Sequence, residues 1–327
     1  EFRVNPATGA VQFMEVNLSC NLWSKKSISP SAASVGISHA ELVESILAHS
    51  MQRQGLLTVS EPAVFIAQHR QQKVNALVLA GQREGRVDPL AHAHGITHKS
   101  MVPVVGMPMI EHVLLSLITC PEIGDVLISI GNSEIIAGIA SIQPHLKSGR
   151  LRVVNSRTNL ADSVVSAAEQ VKMPLLITTA DNVLLTHDII REFITGSKDA
   201  DVSVGLTSRD AVLAAHPEGQ KRFYEFGSEA WSGCNLYWMG STGALSAIEV
   251  FRSGGQFVKH PGRILKALGA INLICFLFGI GSVDRVFSRL SRRLGLRVKA
   301  VPISDGCAAI DVDNVRSHTI AQGLLMD

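Results

Sequence analysis

Val74-Asn75-Ala76-Leu77-Val78-Leu79-Ala80-Gly81-Gln82-Arg83 is the stretch from which the rest of the chain is read. An apolar run ends in a glycine turn. A basic loop carrying His98 and Lys99 follows, and Val102-Pro103-Val104-Val105-Gly106-Met107-Pro108-Met109-Ile110 supplies a second turn that opens a helix. A buried strand, a glycine turn and one nearby lysine suit a loop that wraps the phosphates of a nucleotide, because phosphate chains need backbone N–H donors and positive charge. Glycine lets the backbone come close, and lysine is a compact charge for phosphate oxygens. Leu-Ala-Gly alone is weak evidence, since many parallel strands end that way. The loop is neither a G-x-x-x-x-G-K-[ST] phosphate loop nor a G-x-G-x-x-G dinucleotide turn.

Outward from this stretch, strands alternate with helices. Strands are expected at Ala76–Ala80, Asp125–Ile130, Leu151–Asn155, Leu175–Thr179 and Asp201–Leu206. Helices are expected at Met109–Leu117, Ser133–Ile142, Ala161–Val171 and His187–Thr195. The alternation implies an α/β fold with a mainly parallel, Rossmann-like sheet and helices on both faces. Ligands bind such sheets beyond the carboxyl ends of the strands, where Gly81 and Asp181 both fall. Farther on, Gly233–Trp238 reads as a loop entering a strand, Pro261–Gly281 as one or two apolar helices, and Ser282–Leu294 as a basic helix. Val298–Pro302 is a last strand, and a closing helix follows Asn314. Residues 1–72 read apart from this 73–327 domain. They hold one strand signal at Val11–Asn17 and a helix behind the capping-box spacing of Ser38 and Glu41, too little for an independent core.

Bulk properties narrow the function classes. Of 327 residues, 46% are apolar and 18% charged, so a buried core is expected and global disorder is not. A net charge of +2 argues against a dedicated nucleic-acid binder. The 5 cysteines are scattered without a C-x-x-C pair, which points to a reduced, cytoplasmic setting. No signal-peptide pattern opens the chain. The most apolar run, Ala270–Ile280, is shorter than the roughly 20 residues a spanning helix needs.

Two acidic motifs add to the glycine loop. Asp181, directly after a buried strand, is placed to hold Mg²⁺, which usually arrives with substrate phosphates; a turn or capping aspartate is the competing reading. In Ile310-Asp311-Val312-Asp313-Asn314, alternation puts both aspartates on one face of an extended segment, where one of them can share a metal with Asp181. His92, His94 and His98 lack a scaffold and a cysteine partner for a zinc site and read better as loop residues assisting Lys99. Lys221, Arg222, Lys259 and Arg263 are candidates for an acceptor phosphate, against a solvated surface. The apolar 270–280 run beside Arg285, Arg289, Arg292, Arg293 and Arg297 suits weak peripheral contact with an anionic membrane, although core packing or a dimer interface is the simpler reading.

Taken together, these pieces resemble the MobA-like NTP transferases over residues 74 to 325. Leu79-Ala80-Gly81 matches the start of that family's signature, Lys99 its phosphate-binding lysine, and Gly106-Met107-Pro108-Met109-Ile110 its next helix opening. Ala161-Asp162-Ser163-Val164 is similar to the base-holding segment, Ala180-Asp181 to the first metal motif, Asp311-Val312-Asp313 to the C-terminal motif, and Ser232-Gly233-Cys234-Asn235-Leu236 to the acceptor loop. The resemblance implies a Mg²⁺-dependent nucleotidyltransferase that joins an NTP, CTP or GTP in the first place, to a phosphorylated acceptor and releases pyrophosphate. Lys99, Arg83 and Asp181 would be catalytic. Leu79, Ala80, Gly81 and Ser163 would frame the nucleoside. Asp181 and Asp313 would hold the metal. Gly233, Asn235, Lys221 and Arg222 would face the acceptor. The chain departs from the family in Gln82-Arg83-Glu84-Gly85-Arg86, where small residues are usual, in a longer loop through Asp88-Pro89-Leu90-Ala91, and in Asn314 where threonine is common. An NDP-sugar-dependent glycosyltransferase, using Asp311-Val312-Asp313 as a D-x-D motif, and a non-catalytic nucleotide-binding domain are the alternatives. Separately, Phe13-Met14-Glu15-Val16-Asn17 resembles the metal strand at the tail of an ATP-grasp domain.

Overall fold

A computed structural model describes residues 2–4, 11–13, 33, 38–53, 73–82, 88–157, 159–248 and 281–326. It divides into two compact units, Glu1–Gln72 and Lys73–Asp327. In the first, β1 (Phe2–Val4) pairs antiparallel with β2 (Val11–Phe13), Phe2 opposite Phe13. Helix α1 (His39–Arg53) starts where the Ser38 carbonyl accepts from the Leu42 N–H at 2.9 Å, at the expected capping position. Met14–Asn17, which carry most of the ATP-grasp likeness, lie outside the described residues.

The second unit is built on one sheet. Its strands are β3 (Val74–Leu79), β6 (Ile123–Ile130), β7 (Leu151–Asn155), β8 (Leu175–Thr179), β9 (Val202–Ser208), β10 (Tyr224–Phe226), β11 (Glu229–Met239) and β12 (Val298–Pro302). Two short strands, β4 (Pro103–Val104) and β5 (Met107–Pro108), form a separate hairpin. The sheet order is β12-β9-β11-β8-β3-β6-β7, with β10 added to β11. β3 is an interior strand, parallel to both β6 and β8, with Leu79 beside Ser129 and Thr179. Being covered on both faces explains its nearly unbroken apolar sequence. β12 is parallel to β9, whereas β11 is antiparallel to both β8 and β9. The mainly parallel expectation holds with this insertion. Gly233–Trp238 is not a loop entering a strand but the middle of a long antiparallel one.

Helices cover both faces. On one, α4 (Leu160–Ala168) packs Val164, Ala167 and Ala168 over Leu77, Leu127, Leu175, Ile177 and Met239. On the other, α3 (Met109–Thr119) and α5 (His187–Ser197) pack Leu114, Leu117, Ile190 and Phe193 over Ala76, Val78, Ile128 and Leu176. Each fully buried side chain of this kind contributes about 1.5–3 kcal/mol by leaving water. The single helix expected over Ser133–Ile142 is instead broken into Glu134–Ala137, a 3₁₀ turn at Ala140–Ile142, and Gln143–Lys147. Gly138 ends the first piece, and Pro144 sits in the first turn of the last, where its missing N–H costs nothing.

The cationic helix α7 (Val283–Leu294) uses its apolar face internally: Val283 and Val286 pack with Leu206 and Phe226, and Phe287 and Leu290 lie against them. That face is covered by the sheet, which favours core packing for this helix. The apolar run at 270–280 lies outside the described residues, and no described helix is long and apolar enough to cross a membrane.

The approach to the C-terminal acidic motif is tight. The turn Gly306–Ala309 lies against helix α6 (Arg209–Ala215), and a Cβ on Gly306 would clash with the Ala211 carbonyl oxygen. Backbone cannot yield as a flexible side chain does. Gly306→Ala is therefore expected to cost about 1–3 kcal/mol, the usual penalty of overpacking. A urea melt read by circular dichroism checks this; an unchanged midpoint would mean the turn is looser than its geometry.

Candidate active site

The carboxyl ends of β3 and β8 open into a cleft of about 500 Å³. Leu79, Ala80, Gly81, Lys99 and Asp181 all line it, together with Leu160. Gly81 is exposed and its backbone is not left-handed; a Cβ there would meet Ser156 at an ordinary 3.6 Å. Neither conformation nor packing requires glycine at that position.

Of the loop that follows Gly81, Gln82 and the residues from Asp88 onward are described. Asp88 caps the short helix α2 (Pro89–Ala93), its carboxylate accepting from Leu90 N at 2.9 Å and Ala91 N at 3.3 Å, while Leu90 and Ala91 are buried. α2 therefore anchors the loop, and Asp88 and Pro89 face the cleft. Farther along the same loop, Lys99 begins a 3₁₀ turn. Gln82 fixes its main chain: Gln82 Oε1 accepts the Lys99 N–H at 3.1 Å, and Gln82 Nε2 donates to the Thr97 carbonyl at 3.0 Å. Gln82 breaks the expected small-residue pattern, and its role as a clamp was not read from sequence. No local signal at position 82 pointed to a partner on the far side of the loop.

Lys99 reaches across the chain to both acidic motifs. Its Nζ lies 2.7 Å from Asp181 Oδ2 and 2.5 Å from Asp313 Oδ1. Burial opposes the charged ammonium, but the two carboxylates outweigh it and raise the Lys99 pKa. Burial likewise opposes ionisation of Asp313, and Lys99 overcomes it, so that carboxyl is held below the usual range.

Asp311 completes the cluster. One carboxylate oxygen from each of Asp181, Asp311 and Asp313 lies within 4.8 Å of the others, and this is the group of three or more potential metal ligands found among the described residues. The sequence reading chose between Asp311 and Asp313; the fold brings both to Asp181. Burial, then the nearby charges of Asp313 and Asp181, push the Asp311 carboxyl up to about 7. Gln220 Nε2 steadies it, donating to Asp311 Oδ1 at 3.4 Å and to the Ala309 carbonyl at 3.1 Å.

Backbone bonds set these positions. Val312 N–H donates to the Asp181 carbonyl at 3.0 Å, which docks the C-terminal motif on the end of β8. Asn182 Nδ2 donates to the Cys234 carbonyl at 3.1 Å, joining the same exit to β11. Ser317 Oγ accepts from Asp313 N at 2.9 Å, and Asn314 Oδ1 from Ser317 N at 3.2 Å, so Asn314 caps α8 (Val315–Met326).

Other expected residues are distributed as follows. Ser163 is buried behind the cleft, its hydroxyl accepting from Arg157 N at 2.8 Å and donating to the Asn159 carbonyl at 3.1 Å. It braces the turn that presents Leu160. β11 shifts register between Gly233 and Tyr237, and Asn235 lies within that shift, left-handed with φ 51°; nothing lies within 4 Å of where a Gly233 Cβ would be. Lys221 and Arg222 are exposed beside Gln220. Arg83, Lys259 and Arg263 lie outside the described residues. The histidines do not converge: His98 bonds Ser100 Oγ through Nδ1, and His94 packs its ring 4.8 Å from that of His318.

The sequence model of the MobA-like NTP transferase domain matches residues 76–268, a span that contains Gly81, Lys99 and Asp181. The chain belongs to this family. It is a nucleotidyltransferase, an enzyme that transfers from an NTP. Among solved structures it is similar to a hypothetical transferase from Thermus thermophilus, at 23% identity over 75% of this chain and 99% of that one, with a TM-score of 0.63. Weaker likenesses are to a CMP:2-keto-3-deoxy-manno-octonic acid synthetase complexed with CTP, at 11% identity over 78% and 99% with TM-score 0.49, and to a 4-diphosphocytidyl-2C-methyl-D-erythritol synthase from Anaerococcus prevotii, at 11% over 80% and 99% with TM-score 0.47. No curated protein matches the chain.

The raised Asp311 pKa has a stability consequence. A carboxyl titrating near 4 when unfolded and about 7 when folded binds more protons in the folded state, so its contribution falls as pH rises from about 4 to 7. In chelator-treated buffer, Asp311→Asn is expected to raise the melting temperature relative to the parent at pH 8 and to lose that advantage at pH 4. An equal shift at both pH values would remove Asp311 as the cause.

Proposed function

We propose that the enzyme is a Mg²⁺-dependent nucleotidyltransferase acting on a phosphorylated small-molecule acceptor. An acceptor phosphate oxygen attacks the α-phosphorus of the NTP, the bond to the bridging oxygen of the β-phosphate breaks, and pyrophosphate leaves. The observation that carries the reading is the position of Lys99, in one cleft with the Gly81 turn and bonded to Asp181 and Asp313.

The donor set suits a hard divalent cation. All three candidate ligands are carboxylates, and Asp181 Oδ1 is buried with no hydrogen-bond partner among the described residues. Asp181 and Asp313 would hold the ion, with Asp311 beside them. Bound there, Mg²⁺ would neutralise charge developing on the phosphates. The protein's own residues do the positioning. Leu79, Ala80 and Gly81, with Leu160 opposite, frame the nucleoside. Close approach of the ligand is the remaining physical reason for glycine at 81, since the fold does not need it. Lys99 binds the triphosphate, joined by Arg83. Asn235, carried outward by the bulge beside open space at Gly233, faces the acceptor with Lys221 and Arg222. In-line positioning and charge neutralisation supply most of what such a transfer needs. CTP and GTP are the nucleotides to try first.

Thermal unfolding with each of the four NTPs, with and without Mg²⁺, tests the donor side. A nucleotide at about 100 times its dissociation constant adds roughly 2.7 kcal/mol of stability. The expected shift is confined to one NTP and requires both Mg²⁺ and Lys99; no shift with any NTP refutes the donor assignment. Once an acceptor is found by pyrophosphate release, Asp181→Ala should abolish turnover while leaving the fold intact. A fully active Asp181→Ala protein sinks the assignment.

A further inference from the structure

We propose that Lys99 is a movable occupant of the acidic cleft, so that the site takes its metal and its nucleotide together, as a metal–nucleotide complex, and not either one alone. This rests on Asp181 and Asp313 being metal ligands, as read above.

Lys99 Nζ lies 2.7 Å from Asp181 Oδ2 and 2.5 Å from Asp313 Oδ1. A cation shared by those two carboxylates would crowd the ammonium. The Lys99 and Asp181 side chains are only 22% and 20% exposed, so water screens their charges weakly. The metal and the ammonium therefore compete for one pair of carboxylates.

Only part of Lys99 is free to respond. Its N–H is donated to Gln82 Oε1 at 3.1 Å, and its carbonyl accepts from Val102 N at 3.1 Å. Gln82 is tied in turn to the Thr97 carbonyl at 3.0 Å. The main chain is pinned on both sides, which leaves the flexible four-carbon stem to move. Gly81 and Gln82 line the same cleft, so a triphosphate bound at that turn offers the ammonium new anionic partners within its own reach.

The charge balance then couples the two ligands. Free Mg²⁺ meets carboxylates already engaged by Lys99. A nucleotide without metal draws Lys99 away and leaves the Asp181, Asp311 and Asp313 cluster beside a polyanion. When both arrive, the metal takes the carboxylates and the lysine takes the phosphates. Each ligand removes the obstacle to the other, and such coupling is reciprocal.

The test is Mg²⁺ titration by calorimetry on the parent, Lys99→Met, Lys99→Gln and Lys99→Arg proteins, without nucleotide and with non-hydrolysable α,β-methylene CTP or GTP. Folding of each is checked by circular dichroism, and Lys99→Gln keeps hydrogen bonding should Lys99→Met unfold. The expected result is weak Mg²⁺ binding by the nucleotide-free parent and by Lys99→Arg. Lys99→Met and Lys99→Gln should bind roughly tenfold more tightly without nucleotide, within the usual range of site–site coupling, and show little further gain when it is added. If those two variants bind Mg²⁺ no more tightly than the parent, while Asp181→Asn still removes the binding, the site stands and the proposal is overturned. If the parent binds no Mg²⁺ with any nucleotide, the metal reading itself fails and takes the proposal with it.

Discussion

Three carboxylates held within 4.8 Å of one another are a problem of like charge, and the cleft is organised around its solution. Lys99 offsets two of them directly, and Asp311 avoids part of the cost by holding its proton up to about 7. A buried or half-buried carboxylate without a counter-charge is expensive, and the protein tolerates the cluster only because a cation is close by. At Asp181, which is largely shielded from water, weak screening strengthens the hold on a cation and makes the local charge sensitive to where one ammonium lies.

The sheet topology makes this concentration of charge possible. Parallel strands direct their carboxyl ends to one edge, so the turn after β3 and the turn after β8 meet there. The third contributor arrives from the far end of the chain. The close contact of Gly306 with helix α6, the Val312–Asp181 backbone bond and the cap formed by Asn314 and Ser317 fix the 310–314 segment from three sides. β11 adds a different element. Running antiparallel between β8 and β9, it brings its register shift, and with it Gly233 and Asn235, near the same edge through the Asn182–Cys234 bond.

The departures from the family pattern acquire physical roles in this arrangement. Gln82, standing where small residues are usual, clamps the loop at Thr97 and at Lys99 itself. The extra length after Gly81 is anchored at its end by a capped helical turn whose Leu90 and Ala91 enter the core.

The sequence alone determined the strands and helices whose period and boundaries are strong: β7 and β12, for instance, span the residues expected of them. It also pointed to Gly81, Lys99, Asp181 and Asp313, of which the fold sets the first three along one cleft and bonds the fourth to Lys99. The broken helix at 134–147 was less legible, because Gly138 and Pro144 act locally against an apolar pattern that remains helical. Only the tertiary structure decided that β11 enters the sheet backwards, that Asp311 joins Asp313 at Asp181, and that Gln82 holds Lys99. Each depends on contacts between residues far apart in the chain. Periodicity records which face of an element is buried, but not which distant element will cover it.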